Sequence, residues 1–102
     1  MADVQVNWVL PTTRISGFPL DPADIAHVEI HLSADGGNSY GKIGEYPPSV
    51  LSMTQTELDP GEWFFQGIVV DTKGKASKPL VNAIYIEDTS DPSALQELTL
   101  NL

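Results

Sequence analysis

Short apolar runs that alternate residue by residue, cut apart by glycine and proline, constrain this chain more than any other feature. Val4, Val6, Trp8 and Leu10 alternate with Gln5, Asn7 and Val9. Val28, Ile30 and Leu32 alternate with His27, Glu29 and His31. A period of two places one set on a single face of an extended strand, so each run predicts a strand with one buried side. Residues 63–70 are almost continuously apolar, and their aromatic and β-branched content predicts a central strand. Residues 82–87 predict another, with Ile84 and Ile86 on one face. Residues 49–58 predict a weaker strand through Val50, Met53 and Leu58, and residues 40–46 a short edge strand. Turns fall at Asp35-Gly36-Gly37-Asn38, Asp59-Pro60-Gly61 and Thr72-Lys73-Gly74-Lys75, where glycine reaches positive φ at little cost and proline presets φ.

Only two segments suggest a helix. Residues 22–26 would form one turn with Asp21 as N-cap. Residues 92–98 have an N-cap candidate in Asp91 and Pro92 at the first helical position, although residues 98–102 alternate and read equally well as a strand. A chain of 102 residues makes one domain. Many short strands and almost no helix predict an all-β, two-sheet sandwich. Val6, Trp8, Val28, Ile30, Leu32, Leu58, Ile84 and Ile86 are the expected filling between its sheets.

The charge balance restricts partners. Fourteen Asp and Glu against five Lys and Arg give a formal net charge of −9, which disfavours nucleic acid and anionic lipid. With no cysteine, disulfides, thiolate zinc sites, iron–sulfur clusters and cysteine nucleophiles are excluded. No run approaches the roughly 18 apolar residues of a membrane span. The first residues lack the basic start and apolar block of a secretory signal, so if the product starts at Met1, synthesis and first folding in the cytosol are expected.

The motifs resemble a fibronectin type III domain. Val4 to Pro11, with Trp8 as the core tryptophan, are similar to the family's second strand. Arg14, Ile15, Ser16, Gly17, Phe18, Pro19 and Leu20 resemble a loop found in many bacterial and phage members. The run from Ile25 to His31 is similar to the third strand, with Val28 where tyrosine is common. Leu58, Asp59, Pro60, Gly61, Glu62, Trp63, Phe64 and Phe65 resemble the entry to the sixth strand. Val70, Asp71, Thr72, Lys73, Gly74, Lys75, Ala76 and Ser77 resemble the loop into the last. The resemblance covers residues 4–88 and implies a seven-stranded Greek-key sandwich over residues 1–88, with residues 89–102 as a docking or pairing tail.

Three departures from the family pattern matter. The opening strand is missing or replaced, which would leave one sheet edge uncovered. Trp63 or Phe64 stands where a tyrosine hydroxyl normally ties a corner to the backbone. The tail carries Leu95, Leu98, Leu100 and Leu102, too apolar for a plain linker.

No catalytic constellation is expected. There is no serine–histidine–acid set on a nucleophile turn, no glycine-rich phosphate loop and no spaced acidic loop for calcium. His27, Glu29 and His31 share one strand face about 6–7 Å apart, so adjacent members would need a ligand from a neighbouring strand to hold zinc. A polar solvent face is the favoured reading there, and no metal or cofactor is expected. Lys73, Lys75 and Lys78 hold three of the five cations. The integrin-binding tripeptide of some family members is absent from their loop. A solvated loop is the plain reading, and a basic tip docked on an acidic neighbour the sharper one.

The resemblance therefore implies a non-catalytic structural protein of a phage particle, a capsid decoration or a neck, tail or baseplate subunit. Its expected partners are other virion proteins in a multi-copy assembly, met through Lys73, Lys75, Lys78, Leu95, Leu98, Leu100 and Leu102. Neither nucleic acid nor membrane is an expected partner, and the expected location is the virion. The alternative is a module reading glycans or a host surface through Tyr40, Tyr46 and Tyr85.

Overall fold

The computed structural model describes residues 2–102. Among these residues six strands form: β1 (Ala2–Asn7), β2 (Ile25–Ser33), β3 (Gly41–Tyr46), β4 (Ser52–Leu58), β5 (Gly61–Asp71) and β6 (Leu80–Ile86). A 3-10 turn, Pro22–Asp24, precedes β2. Asp21 caps it by accepting the Ala23 N–H, as its position before Pro22 predicts. All pairings are antiparallel. One sheet holds β1 and β4, and the other has the order β3-β2-β5-β6.

The chain changes sheets three times and returns by hairpin twice, β2 to β3 and β5 to β6. Between the sheets lie Val28, Ile30, Leu58 and Phe65, flanked by Val4, Val6, Trp8, Leu10, Leu32, Ile43, Tyr46, Trp63, Val69 and Ile86. The alternation along β1 and β2 has done what period two requires: its even set faces the other sheet.

Trp8 is half-buried and not enclosed. It lies just beyond β1, its ring 5.5 Å from that of Tyr46, and its indole N–H donates to the Val50 carbonyl. A ring with a polar edge settles at the rim, where the N–H finds a partner. The corner at the start of β5 is tied after all. The Trp63 indole N–H donates to the Asp59 carbonyl at 2.9 Å, doing with nitrogen what a tyrosine hydroxyl would do with oxygen.

Ile84 corrects the expected core. It lies opposite Trp63 in the β5–β6 ladder and so faces inward, yet it is 40% exposed. Leu80, opposite Gly67 on the same face, is 81% exposed. Two strands about 4.8 Å apart cannot cover a four-stranded sheet, and the β6 side is left bare. The outer edge of β1 has no strand partner among the described residues.

The tail forms no helix at residues 92–98 and no strand at residues 98–102. A helix so short is unstable without a packed face, and cap and proline signals do not replace one. The intrachain form of the tail-strand expectation is therefore not seen. The chain reaches 82 Å along its long axis against 23 and 19 Å across.

Candidate partner-binding surfaces

The β5–β6 loop is built on one carboxylate. Buried Asp71 ends β5, and its Oδ1 accepts the N–H groups of Lys73 and Lys75 at 3.0 and 2.8 Å. Its other oxygen meets Arg14 Nη1 at 3.2 Å. These donors, the Lys75 amide foremost, hold the Asp71 carboxyl below its ordinary range. Gly74, at φ 81°, closes the turn with its N–H on the Asp71 carbonyl. The backbone amides are thus used for structure, while the side chains of Lys73, Lys75 and Lys78 stay exposed.

Arg14 comes from the excursion between β1 and β2. Residues 12–20 form a small hairpin there, with Arg14 N–H on the Phe18 carbonyl and Leu20 N–H on the Thr12 carbonyl. The Arg14–Asp71 pair pins this hairpin beside the basic loop. Between them runs an open groove of about 530 Å³, with Pro11, Ile15 and Leu20 on one side and Lys75, Ala76 and Lys78 on the other. Sequence reasoning placed the three lysines but missed Arg14 and the apolar wall. Nothing in the local pattern pairs residues 57 positions apart.

The second surface joins β1, β6 and the tail. Ala2 of β1, Ile86 of β6 and residues 87–90 line a shared groove of about 500 Å³, so the tail leaves beside the start of β1. Asp88 accepts the Ser90 N–H and hydroxyl at this exit. Beyond it, Leu95, Leu98, Leu100 and Leu102 are all exposed. The structure keeps them apart from Lys73, Lys75 and Lys78, so the seven expected partner residues form two surfaces.

The three tyrosines do not form one exposed set. Tyr46 packs on Trp8 against the core, Tyr40 is half-buried, and Tyr85 lies exposed on the outer face of β6.

A polar strip marks the outer face of the four-stranded sheet. His27 and His31 each place Nε2 against a different oxygen of Glu29, at 3.0 and 3.1 Å. Those two contacts, His27 first, hold the Glu29 carboxyl below its ordinary value. Glu45 of β3 lies directly opposite Glu29, and its Oε1 is 2.9 Å from the same His27 nitrogen. The partner residue from a neighbouring strand was not legible in the sequence, because it depends on a bulge. The ladder slips between Ile30 and His31, leaving Ile43 unpaired. Lys42 and Glu45 thereby reach the same face although three residues apart, and Lys42 Nζ holds Glu45 Oε2 at 3.1 Å.

Among the described residues no helix is long and apolar enough to cross a membrane. No protein-family model matches the chain, and no curated protein matches its sequence.

Proposed function

We propose that this protein is a non-catalytic structural subunit of a phage particle that assembles by lending its tail strand to a neighbouring copy. One observation carries the assembly: a β1 edge with no strand partner among the described residues and the bare β6 face belong to the same chain as a tail with alternating Leu98, Leu100 and Leu102. A strand added beside β1 supplies its unpaired backbone groups with partners and lays leucines over Ile84 and Leu80. Burying each leucine contributes about 1.5–3 kcal/mol relative to leaving it in water. Backbone bonds supply affinity, and alternate side chains fix register.

The particle assignment is supported by the resemblance to fibronectin type III-like virion proteins and by the sheet order, two strands facing four, which suits that family with its opening strand absent. The basic loop and its groove give the acidic chain a place to meet an acidic neighbour. The glycan reading has less support, since Tyr46 packs on Trp8 against the core and does not join Tyr40 and Tyr85 in one exposed set.

Sedimentation of the full chain over a concentration series tests the assembly. The wild type should associate, and the variant Leu98→Ser/Leu100→Ser/Leu102→Ser should stay monomeric with unchanged circular dichroism. Equal sedimentation of the two overturns the tail as the joining element. Mass spectrometry of purified particles tests the location, and absence of the chain from them would reject it.

A further inference from the structure

The outer strip brings together three ligand atoms that sequence alone left apart. His27 Nε2, one Glu29 oxygen and one Glu45 oxygen all lie within 4.8 Å of one another. His27 Nε2 stands 3.0 Å from Glu29 Oε2 and 2.9 Å from Glu45 Oε1. Ligands on a tetrahedral zinc ion, bonded at 2.0–2.2 Å, are separated by roughly 3.3 Å. Two of the three edges therefore already have nearly that length. Glu45 is exposed enough to close the third by a side-chain rotation.

The hydrogen-bond account of the same atoms is incomplete. One imidazole nitrogen carries at most one hydrogen, and it cannot donate well to two carboxylates at once. Glu29 and Glu45 are also like charges directly opposite in an antiparallel ladder, an unfavourable pair unless a cation lies between them. Each carboxylate is oriented from behind. His31 Nε2 holds Glu29 Oε1, Lys42 Nζ holds Glu45 Oε2, and the remaining oxygen of each is aimed at His27. Outer contacts of this kind fix the direction of metal-binding carboxylates.

We propose that His27, Glu29 and Glu45 bind one divalent transition-metal ion, with Zn²⁺ the best chemical match, and that His31 and Lys42 are positioning residues. One nitrogen and two carboxylate oxygens suit zinc, and the fourth position is left to water. Calcium and magnesium, which take oxygen ligands in sets of six or more, lack enough of them here. None of these five residues belongs to the tail or the basic loop, although His27 lies beside Val70 at the foot of that loop, so zinc binding by the single chain is read separately from assembly.

Calorimetric titration of the full chain with Zn²⁺, at a pH where an ordinary imidazole is neutral, tests it. The expected result is saturable binding of one ion per chain. His27→Ala and Glu29→Gln should abolish it with circular dichroism unchanged, and His31→Ala should weaken it roughly tenfold to a hundredfold. His31→Gln, which keeps an N–H donor, should restore part of the loss. Ca²⁺ and Mg²⁺ should give no saturable heat. Because Glu29→Gln also alters the strip's own hydrogen bonds, zinc-dependent shifts of the His27 and His31 ring signals in the wild type provide a second reading: His27 should move most. Absence of saturable zinc binding overturns the proposal. So does wild-type affinity in His27→Ala and Glu29→Gln, which would mean zinc held adventitiously by other carboxylates.

Discussion

Truncating Ile84 to alanine separates a face that is bare in the single chain from one that is covered in the assembly. Ile84 faces inward opposite Trp63 but is 40% exposed, whereas Phe65, two residues along the partner strand, is 8% exposed and belongs to the central core. A core Phe→Ala costs about 3–5 kcal/mol, because buried contacts are lost and a cavity remains. Ile84 has only part of its surface to lose and leaves no closed cavity, so Ile84→Ala should cost about 1 kcal/mol in the monomer. If a neighbour's leucines lie over this face, the same truncation costs more in the assembly. Urea unfolding of four full-length chains measures this: wild type, Ile84→Ala, the triple tail-leucine-to-serine variant, and their combination. Each is read at constant m-value and fixed protein concentration. The interaction energy in that cycle should be about 0.5–3 kcal/mol, the range for groups in contact. Additivity within error would refute the idea that tail and β6 face meet. A loss in the tail variant as large as for Phe65→Ala would show that Ile84 is covered by its own chain.

Other consequences concern the turns and the basic loop. Gly37→Ala should destabilise by about 1–3 kcal/mol and more than Gly36→Ala. Both glycines have positive φ, 88° and 75°, but only at Gly37 would a Cβ press on Tyr40 and Phe64, at 3.2 and 3.3 Å; thermal melts of the two variants decide. The Asp35 carboxyl accepts hydrogen bonds from Ser33 and Ser39, which pull it from an ordinary 3.8 to about 2. A value depressed by folding stabilises the fold above the ordinary range and loses that contribution as pH falls through the folded value. Acid titration should therefore show stability falling between these values, with a shallower fall in Asp35→Asn. Replacing Lys73, Lys75 and Lys78 by serine should weaken assembly and flatten its salt dependence while leaving the melt unchanged. Equal assembly across a salt series would make the loop merely solvated.

What the sequence disclosed follows from how local each signal is. Period two and the glycine turns are short-range, so all six strands, the Asp21 cap and the β5–β6 loop were legible. What one strand meets across a ladder is not local. The bulge at Ile43, which brings Glu45 to His27, depends on register, and so does the exposure of Ile84, which depends on how many strands face it. Trp63 shows a chemical blind spot: looking for a lost hydroxyl concealed that an indole N–H makes the same tie. The tail shows the limit of pattern itself. Asp91 and Pro92 satisfy the rules for starting a helix, yet without a surface to pack on residues 92–98 take no regular structure.

The central claim, that the tail adds a strand to the β1 edge of a neighbouring copy, is met most directly by amide hydrogen exchange at several protein concentrations. Strand addition should protect amides in β1 and in residues 98–102 together, with protection rising with concentration in the wild type and absent in the triple serine variant. Tail amides exchanging at the rate of an unstructured chain at every concentration, with β1 unchanged, would contradict it.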